Sequence, residues 1–270
     1  MILGIDVGGT KTLLGMFNSQ GKLERKQRSL TKENYDDFID ALAAEVEAFI
    51  GENTVEIITI AMPGTINRGS GVVARLGHRP WKNVPVVSDL QSRLSFKGKI
   101  LLENDAKLAG LAEAQNHKNH SIIVYVTIST GIGMAIVVDG RLDPHFIGDE
   151  GGFMIVPYED GFRFWDHIAS GSAFQERFGV LASETTDPKI WEQHSRVLAP
   201  GFSAIHALLT PDLIITGGGL GMQLDNFREP LLKLLSLPGS TISKTPEFAV
   251  AQYGDESVLY GCYAYSQQKQ

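Results

Sequence analysis

Asn104-Asp105 stands between an apolar strand, Ile100-Leu-Leu102, and a helical stretch that runs from Ala106 to Ala114. A carboxylate at such a junction can take the proton from a bound alcohol. It lies over the free N–H groups and positive end of the helix, which favour the anion. Asn and Asp are also preferred capping residues, so the pair taken alone reads first as an ordinary N-cap. Three small-residue turns elsewhere in the chain change that reading.

The first lies in Ile2-Leu-Gly-Ile-Asp6-Val-Gly8-Gly9-Thr10-Lys11-Thr-Leu-Leu-Gly-Met-Phe17, two apolar runs joined by a tight turn. The pattern is that of a β-hairpin. Gly8 and Gly9 let the backbone come close to a ligand, and their N–H groups with the Thr10 hydroxyl can cradle phosphate oxygens. Asp6 is then placed to hold Mg²⁺ through water. A Walker A loop fails: Gly4 and Gly9 have the right separation, but Thr10 stands where Lys is required and a strand follows.

The second turn repeats the design. From Ser121 to Val138 run an apolar strand, a Gly/Thr turn at Thr130-Gly131-Ile-Gly133 preceded by Ser129, and a second apolar strand. Two such hairpins, one opening each half, predict a duplicated α/β unit with a nucleotide held between the halves. The third turn, Gly217-Gly218-Gly219, follows the buried strand Pro211-Asp-Leu-Ile-Ile-Thr216. A Rossmann fingerprint would need glycine at Met222, so these glycines are read as letting the backbone pass an adenine or ribose.

The elements that must position these residues are strands near 2–7, 12–17, 22–29 and 55–61, with an amphipathic helix near 33–50 carrying Phe38, Leu42, Val46 and Phe49. A turn at Pro63-Gly64 ends the fourth strand. The chain from Gly71 to Ser95 reads as irregular, with Trp81 free either to stack on a sugar or to pack. A helix is expected near 226–235 and another over Val258 to Tyr265. His145, His167, His194 and His206 read as ordinary surface or helix residues, since none sits in a His/Cys cluster.

Composition bounds the function classes. With 270 residues, 43% hydrophobic and 20% charged, the chain can bury two cores. A net charge of −7 without a basic stripe argues against nucleic acid. No apolar run reaches spanning length, so no membrane partner is expected. The single cysteine, Cys262, and the lack of a signal-like start predict a cytoplasmic protein.

In order along the chain, these motifs resemble those of the ROK family of sugar kinases and sugar-responsive regulators. The first phosphate motif is matched by Asp6-Val-Gly-Gly-Thr-Lys11, the Asn-Asp pair by Asn104-Asp105, the second phosphate motif by Thr130-Gly-Ile-Gly133, and the adenosine-side glycines by Gly217 to Gly219. The Glu-x-Gly-His sugar motif is matched in part by Glu150-Gly-Gly-Phe153. Asp166-His-Ile-Ala-Ser-Gly171 resembles the family's Glu-x-x-x-Ala-Ser-Gly helix with one fewer intervening residue.

The resemblance implies a two-lobed actin-like ATPase fold of the ribonuclease H-like type, α/β, with duplicated mixed-sheet domains and the active site in the cleft. Residues 1–117 with a returning C-terminal helix at about 256–270 form the smaller lobe; residues 118–255 form the larger. It implies ATP-dependent phosphorylation of a hexose at its 6-hydroxyl, glucokinase-like, with an N-acetylhexosamine kinase and a non-catalytic sugar-binding protein as alternatives. Asp105 is the expected base. Asn104, Glu150, Asp166 and Gly64 are the expected sugar contacts, and Gly8, Gly9, Thr10, Lys11, Thr130, Gly131, Gly218 and Gly219 the nucleotide contacts. ATP and Mg²⁺ are the expected cofactors, and a homodimer is compatible with the resemblance. Regulators of the family carry an N-terminal helix-turn-helix; here the phosphate hairpin begins at Ile2, so no DNA-binding segment is expected.

The departures are as specific. The family's zinc-binding His is Phe153 here, and its three cysteines have no counterpart, so no zinc is expected. Phe153, Phe162, Phe164 and Trp165 are expected to pack where zinc would staple the loop. Asp166, one methylene shorter than Glu, is expected to reach a sugar hydroxyl through water. Ser129 stands in place of a glycine and should crowd the second turn.

Overall fold

The computed structural model describes residues 1–76, 79–236 and 246–269, and the chain divides into two compact units: Met1–Ala112 with Asp255–Gln270, and Glu113–Gly254. The division falls inside the helix that follows Asn104, earlier than the expected break after residue 117. Glu113 explains the position, because its carboxylate accepts the backbone N–H groups of Gln252 (2.7 Å) and Tyr253 (3.0 Å) of the second unit.

In the first unit, β1 (Ile2–Val7) and β2 (Lys11–Phe17) form the expected hairpin, with Asp6 opposite Leu13 and Val7 opposite Thr12. Both strands are continuous apolar runs because both faces of the sheet are covered. β3 (Leu23–Leu30) carries Glu24, Arg25, Lys26 and Arg28 to solvent, charges that blunt an edge strand. Helix α1 (Tyr35–Ile50) is capped by Asn34, whose side chain accepts from Asp36 and Asp37 N–H, and buries Phe38, Leu42, Val46 and Phe49 at helical spacing. β4 (Ile57–Met62) pairs parallel with β1. The segment from Gly71 to Ser95 is not irregular: β5 (Thr65–Asn67), β6 (Val72–Arg75) and β7 (Lys82–Val84) form a small sheet, and α2 (Val86–Arg93) follows. Strands of three or four residues are too short for alternation to show. Trp81 settles into the core, 3% exposed, with its indole N–H donated to Glu33 O at 2.7 Å.

β8 (Lys99–Asn104) pairs parallel with β4, giving the order β3-β2-β1-β4-β8, and α3 (Asp105–Ala114) leaves its end. The C-terminal helix, Ser257–Gln268, packs on this sheet through Leu259 against Phe17 and Leu13. Thr59 and Ser266 share a buried hydroxyl bond of 2.7 Å.

The second unit repeats the arrangement. β9 (Ile122–Ile128) and β10 (Ile132–Val138) form the second hairpin, β11 (Arg141–Leu142) extends it, and the parallel strands β14 (Leu213–Gly217) and β15 (Glu247–Val250) complete the order β11-β10-β9-β14-β15. A separate hairpin, β12 (Ile155–Tyr158) and β13 (Gly161–Phe164), leads into α4 (Trp165–Ala169) and α5 (Gly171–Phe178). The long helix α6 (Pro188–Leu209) packs on α8 (Leu224–Leu235), and the four-residue α7 (Gly218–Gly221) directly follows β14. His194 and His206 are helix residues, both on α6, and its apolar face carries them inward to 0% and 7% exposure.

Candidate active site

In the first unit the parallel strands end together. Asp6 pairs with Ala61, which pairs with Glu103, and Met62 pairs with Asn104. Ligands of open α/β sheets lie outside the carboxyl ends of such strands. The Asn104 amide donates to Gly64 O at 3.2 Å, joining two of the expected sugar contacts. Gly64 has φ +94°, and a Cβ there would lie 2.0 Å from Arg75 O, so this turn admits only glycine. The Asn104 side-chain oxygen accepts Lys107 N–H at 3.2 Å, so the capping role is real as well.

Asp105 opens α3 and accepts the Ala106 N–H at 2.8 Å through Oδ1. Burial pushes its pKa up, opposed by the backbone N–H bonds and by Lys107. The helix end therefore favours the anion as expected, but removal from water outweighs it and makes the carboxylate more basic. Burial together with the charge of Asp105 pushes Asp6 up to about 7, with Arg28 pulling the other way. A carboxylate raised by burial and by a second carboxylate fits a hard divalent cation, and Mg²⁺ is content with one or two carboxylates completed by water and phosphate. Among the described residues no group of three or more His, Cys, Asp and Glu is arranged to hold a metal.

A frame that the motifs did not reveal stands behind Asn104. Glu103 is fully buried and takes a two-pronged bond from Arg68, Nε to Oε2 at 2.7 Å and Nη2 to Oε1 at 2.5 Å. Its Oε1 also accepts the Asn104 N–H at 2.7 Å. Burial and Glu103 raise the Tyr265 phenol, which hydrogen-bonds to the same carboxylate. A paired Arg and Glu with every lone pair engaged is rigid.

At the first turn every carbonyl is occupied. Gly8 O accepts the Thr31 hydroxyl (3.0 Å), Thr10 O the Thr31 N–H (3.0 Å), Lys11 O the Gly8 N–H (2.9 Å), and Gly9 O the Arg79 guanidinium. Among the described residues the N–H groups of Gly9 and Thr10 have no acceptor, as in a nest that receives an anion. Thr10 and Lys11 are exposed beside them.

In the second unit the matching turn is held differently. Ser129 N–H donates to Gly131 O (2.8 Å), and Ser129 O accepts Gly171 N–H (2.7 Å). The Asp166 carboxylate accepts the Ile132 N–H, so its near partner is the turn itself. A Cβ on Gly131 would stand 2.7 Å from Asp166 Oδ1. Thr130 is exposed at the tip. Gly217 pairs with Thr127, and Gly218 and Gly219 open α7 beyond it. A Cβ on Gly218 would meet Ile128 O at 2.6 Å, whereas Gly219 faces open space.

Glu150 is exposed and precedes the turn Gly151–Phe153, with Phe153 N–H bonded to Glu150 O at 2.9 Å. The expected aromatic cluster divides. Trp165 is fully buried against Phe202, but Phe153, Phe162 and Phe164 remain 56%, 67% and 39% exposed, with only Phe153 and Phe164 in edge-to-face contact. The hairpin alternates, so Phe162 and Phe164 face away from the buried Val156.

Two mixed sheets of one topology, each opening on a hairpin with a small-residue turn, define an actin-like ATPase fold. The crystal structure of a ROK family glucokinase from Streptomyces griseus, in complex with glucose and AMPPNP, superposes with a TM-score of 0.80 over 99% of each chain at 21% identity. The chain belongs to the ROK family, whose model matches residues 2–269. It is similar to a glucokinase of Streptomyces coelicolor, 24% identical over 97% of this chain and 96% of the relative. It is equally similar to an N-acetyl-D-glucosamine kinase of Mannheimia succiniciproducens, 26% identical over 98% of each.

Proposed function

We propose that the chain is an ATP-dependent sugar kinase that phosphorylates a hexose at its primary 6-hydroxyl. One observation carries the reading: a carboxylate made more basic by burial, Asp105, follows an Asn104 fixed to Gly64 at the ends of the strands that also carry Asp6. Because Oδ1 of Asp105 is engaged by Ala106 N–H, Oδ2 is the atom that accepts the hydroxyl proton. The sugar oxygen then bonds to the terminal phosphorus as the bond from phosphorus to the ADP oxygen breaks. Asn104, Gly64, Glu150 and Asp166 are assigned to the sugar, and Gly8, Gly9, Thr10, Lys11, Thr130, Gly131, Gly218 and Gly219 to the nucleotide. Mg²⁺, held through water by Asp6, would neutralise charge on the phosphates.

Glucose is the leading acceptor, following the glucokinase relative. An N-acetylhexosamine is the second, favoured by the N-acetylglucosamine kinase of similar identity. A coupled ADP-release assay with ATP and Mg²⁺ over glucose, mannose, N-acetylglucosamine and N-acetylmannosamine tests the reading. ADP release that depends on one of these sugars is the expected result. Sugar binding without release would leave a sensor, not a kinase.

A further inference from the structure

We propose that Arg68, which belongs to none of the recognised motifs, is a positioning residue for the sugar: through Glu103 it fixes the direction in which Asn104 offers its carboxamide. The proposal rests on the kinase reading and deepens it. Between Met62 and Arg68 the chain holds the end of β8 three times. Met62 pairs with Asn104, Gly64 O accepts the Asn104 amide at 3.2 Å, and Arg68 clasps Glu103 through Nε and Nη2 at 2.7 and 2.5 Å.

The donors and acceptors of Asn104 say what that grip leaves for a ligand. A carboxamide has two N–H donors and two acceptor lone pairs. Asn104 gives one donor to Gly64 O, which can only accept, and one lone pair to the Lys107 N–H, which can only donate. The amide therefore cannot be turned over. Among the described residues one N–H and one lone pair remain, the pair that a sugar hydroxyl, itself donor and acceptor, can engage. The backbone is fixed as well, because the Asn104 N–H goes to Glu103 Oε1 at 2.7 Å. That bond sets the plane of the peptide joining the two residues, so Asn104 follows the Glu103 carboxylate. Glu103 is fully buried, and Arg68 supplies its ion pair. A guanidinium fork bonded at two points admits one orientation of a carboxylate, whereas a lysine ammonium, a point charge, admits many. The fork thus turns a buried charge into a direction for Asn104.

The test is isothermal titration of wild type, Arg68→Lys, Arg68→Ala, Asn104→Ala and the double variants with MgATP and with glucose, mannose, N-acetylglucosamine and N-acetylmannosamine. ADP release is measured on the same preparations. Arg68→Lys keeps the charge and loses the fork, so it should bind the accepted sugar about tenfold more weakly while MgATP affinity changes by less than about twofold. Arg68→Ala should lose more, and Arg68→Lys carries the test alone if the alanine variant does not fold. In the Asn104→Ala background the Arg68 substitution should cost little further, because the residue it acts through is gone. Where that affinity is too weak to titrate, the coupling is read in kcat/KM for the sugar. Wild-type sugar affinity in Arg68→Lys overturns the proposal. So do equal losses for sugar and MgATP, the mark of a strut for the whole unit, and so does an Arg68 effect of full size without Asn104. If wild type binds a sugar but does not phosphorylate it, the kinase reading falls and the affinities still decide for or against Arg68. If wild type phosphorylates a sugar that Arg68→Lys binds equally well, the kinase reading stands and this proposal falls. Binding of none of the four sugars removes both.

Discussion

The two hairpin turns look alike in sequence and stand beside side chains of opposite charge. At Gly8–Thr10 the carbonyls are taken by Thr31 and Arg79, two N–H groups have no acceptor among the described residues, and the nearest added charge is positive. Past Ser129–Gly131 the next N–H, of Ile132, is taken by the Asp166 carboxylate, and the Ser129 carbonyl is tied to Gly171. Duplication gives each unit a small-residue turn. Side chains from distant segments decide which charge stands beside that turn.

The comparison can be broken most sharply on the side of the first turn. Asp105→Asn should lower turnover by roughly 10²–10⁴ while leaving sugar and ATP affinity nearly intact, the effect of losing a general base. Steady-state rates and titrations on the same preparation check it, and wild-type turnover would remove Asp105 from the reaction. Next in size, Gly9→Val should keep the wild-type melting temperature, because an added Cβ meets no protein atom, yet bind MgATP at least about tenfold more weakly. Gly131→Val should do the opposite first, lowering the melting temperature by driving a side chain into Asp166. If both valines behave alike, the contrast between the turns is lost.

Asp166 sharpens the same contrast. Asp166→Ala leaves the Ile132 N–H without its acceptor and should cost about 1–3 kcal/mol in chemical denaturation, whereas Asp166→Asn keeps an accepting oxygen and should recover most of it. A change in sugar KM with no change in stability would return Asp166 to the sugar alone.

The smallest effect is a pH dependence. Asp6 is raised from its ordinary value to about 7 in the fold, so the folded chain holds a proton that the unfolded chain has released. Its contribution to stability is present below about pH 4 and is lost as pH rises through about 7. The melting temperature without added metal should therefore fall between pH 5 and 8 more steeply in wild type than in Asp6→Asn. Parallel curves would mean that Asp6 is solvated.

What the sequence made legible was local. Both hairpins, α1, the strand ending in Gly217 and the last helix follow from apolar period and turn residues a few positions apart, while that helix's return to the first unit came from resemblance. Asn104 and Gly64 were each reached by resemblance as sugar contacts, but the bond between them was not. The misses have two causes. β6, β7 and α2 are short, and their burial comes from the sheet beside them, which no period within the segment encodes. Arg68 on Glu103, Arg79 on Gly9 and Asp166 on Ile132 join residues 35, 70 and 34 positions apart. Each side chain looks like ordinary surface charge until the fold brings its partner. The exposed Phe162 and Phe164 show the converse, since aromatic content alone does not say which face of a hairpin is covered.

The tie between Tyr265 and Glu103 sets an order of events during synthesis. The second unit, residues 113–254, is complete before Ser257–Gln268 has been made, and it can close around its own core while the chain is still growing. The first unit cannot. Until its last helix emerges, Leu13 and Phe17 lack Leu259, Thr59 lacks Ser266, and the carboxylate that fixes Asn104 lacks a partner. Units generally fold in the order in which they are completed. Here the segment made first should be the last to become native, and Asn104 and Asp105 should take up their final geometry only once the last helix has docked.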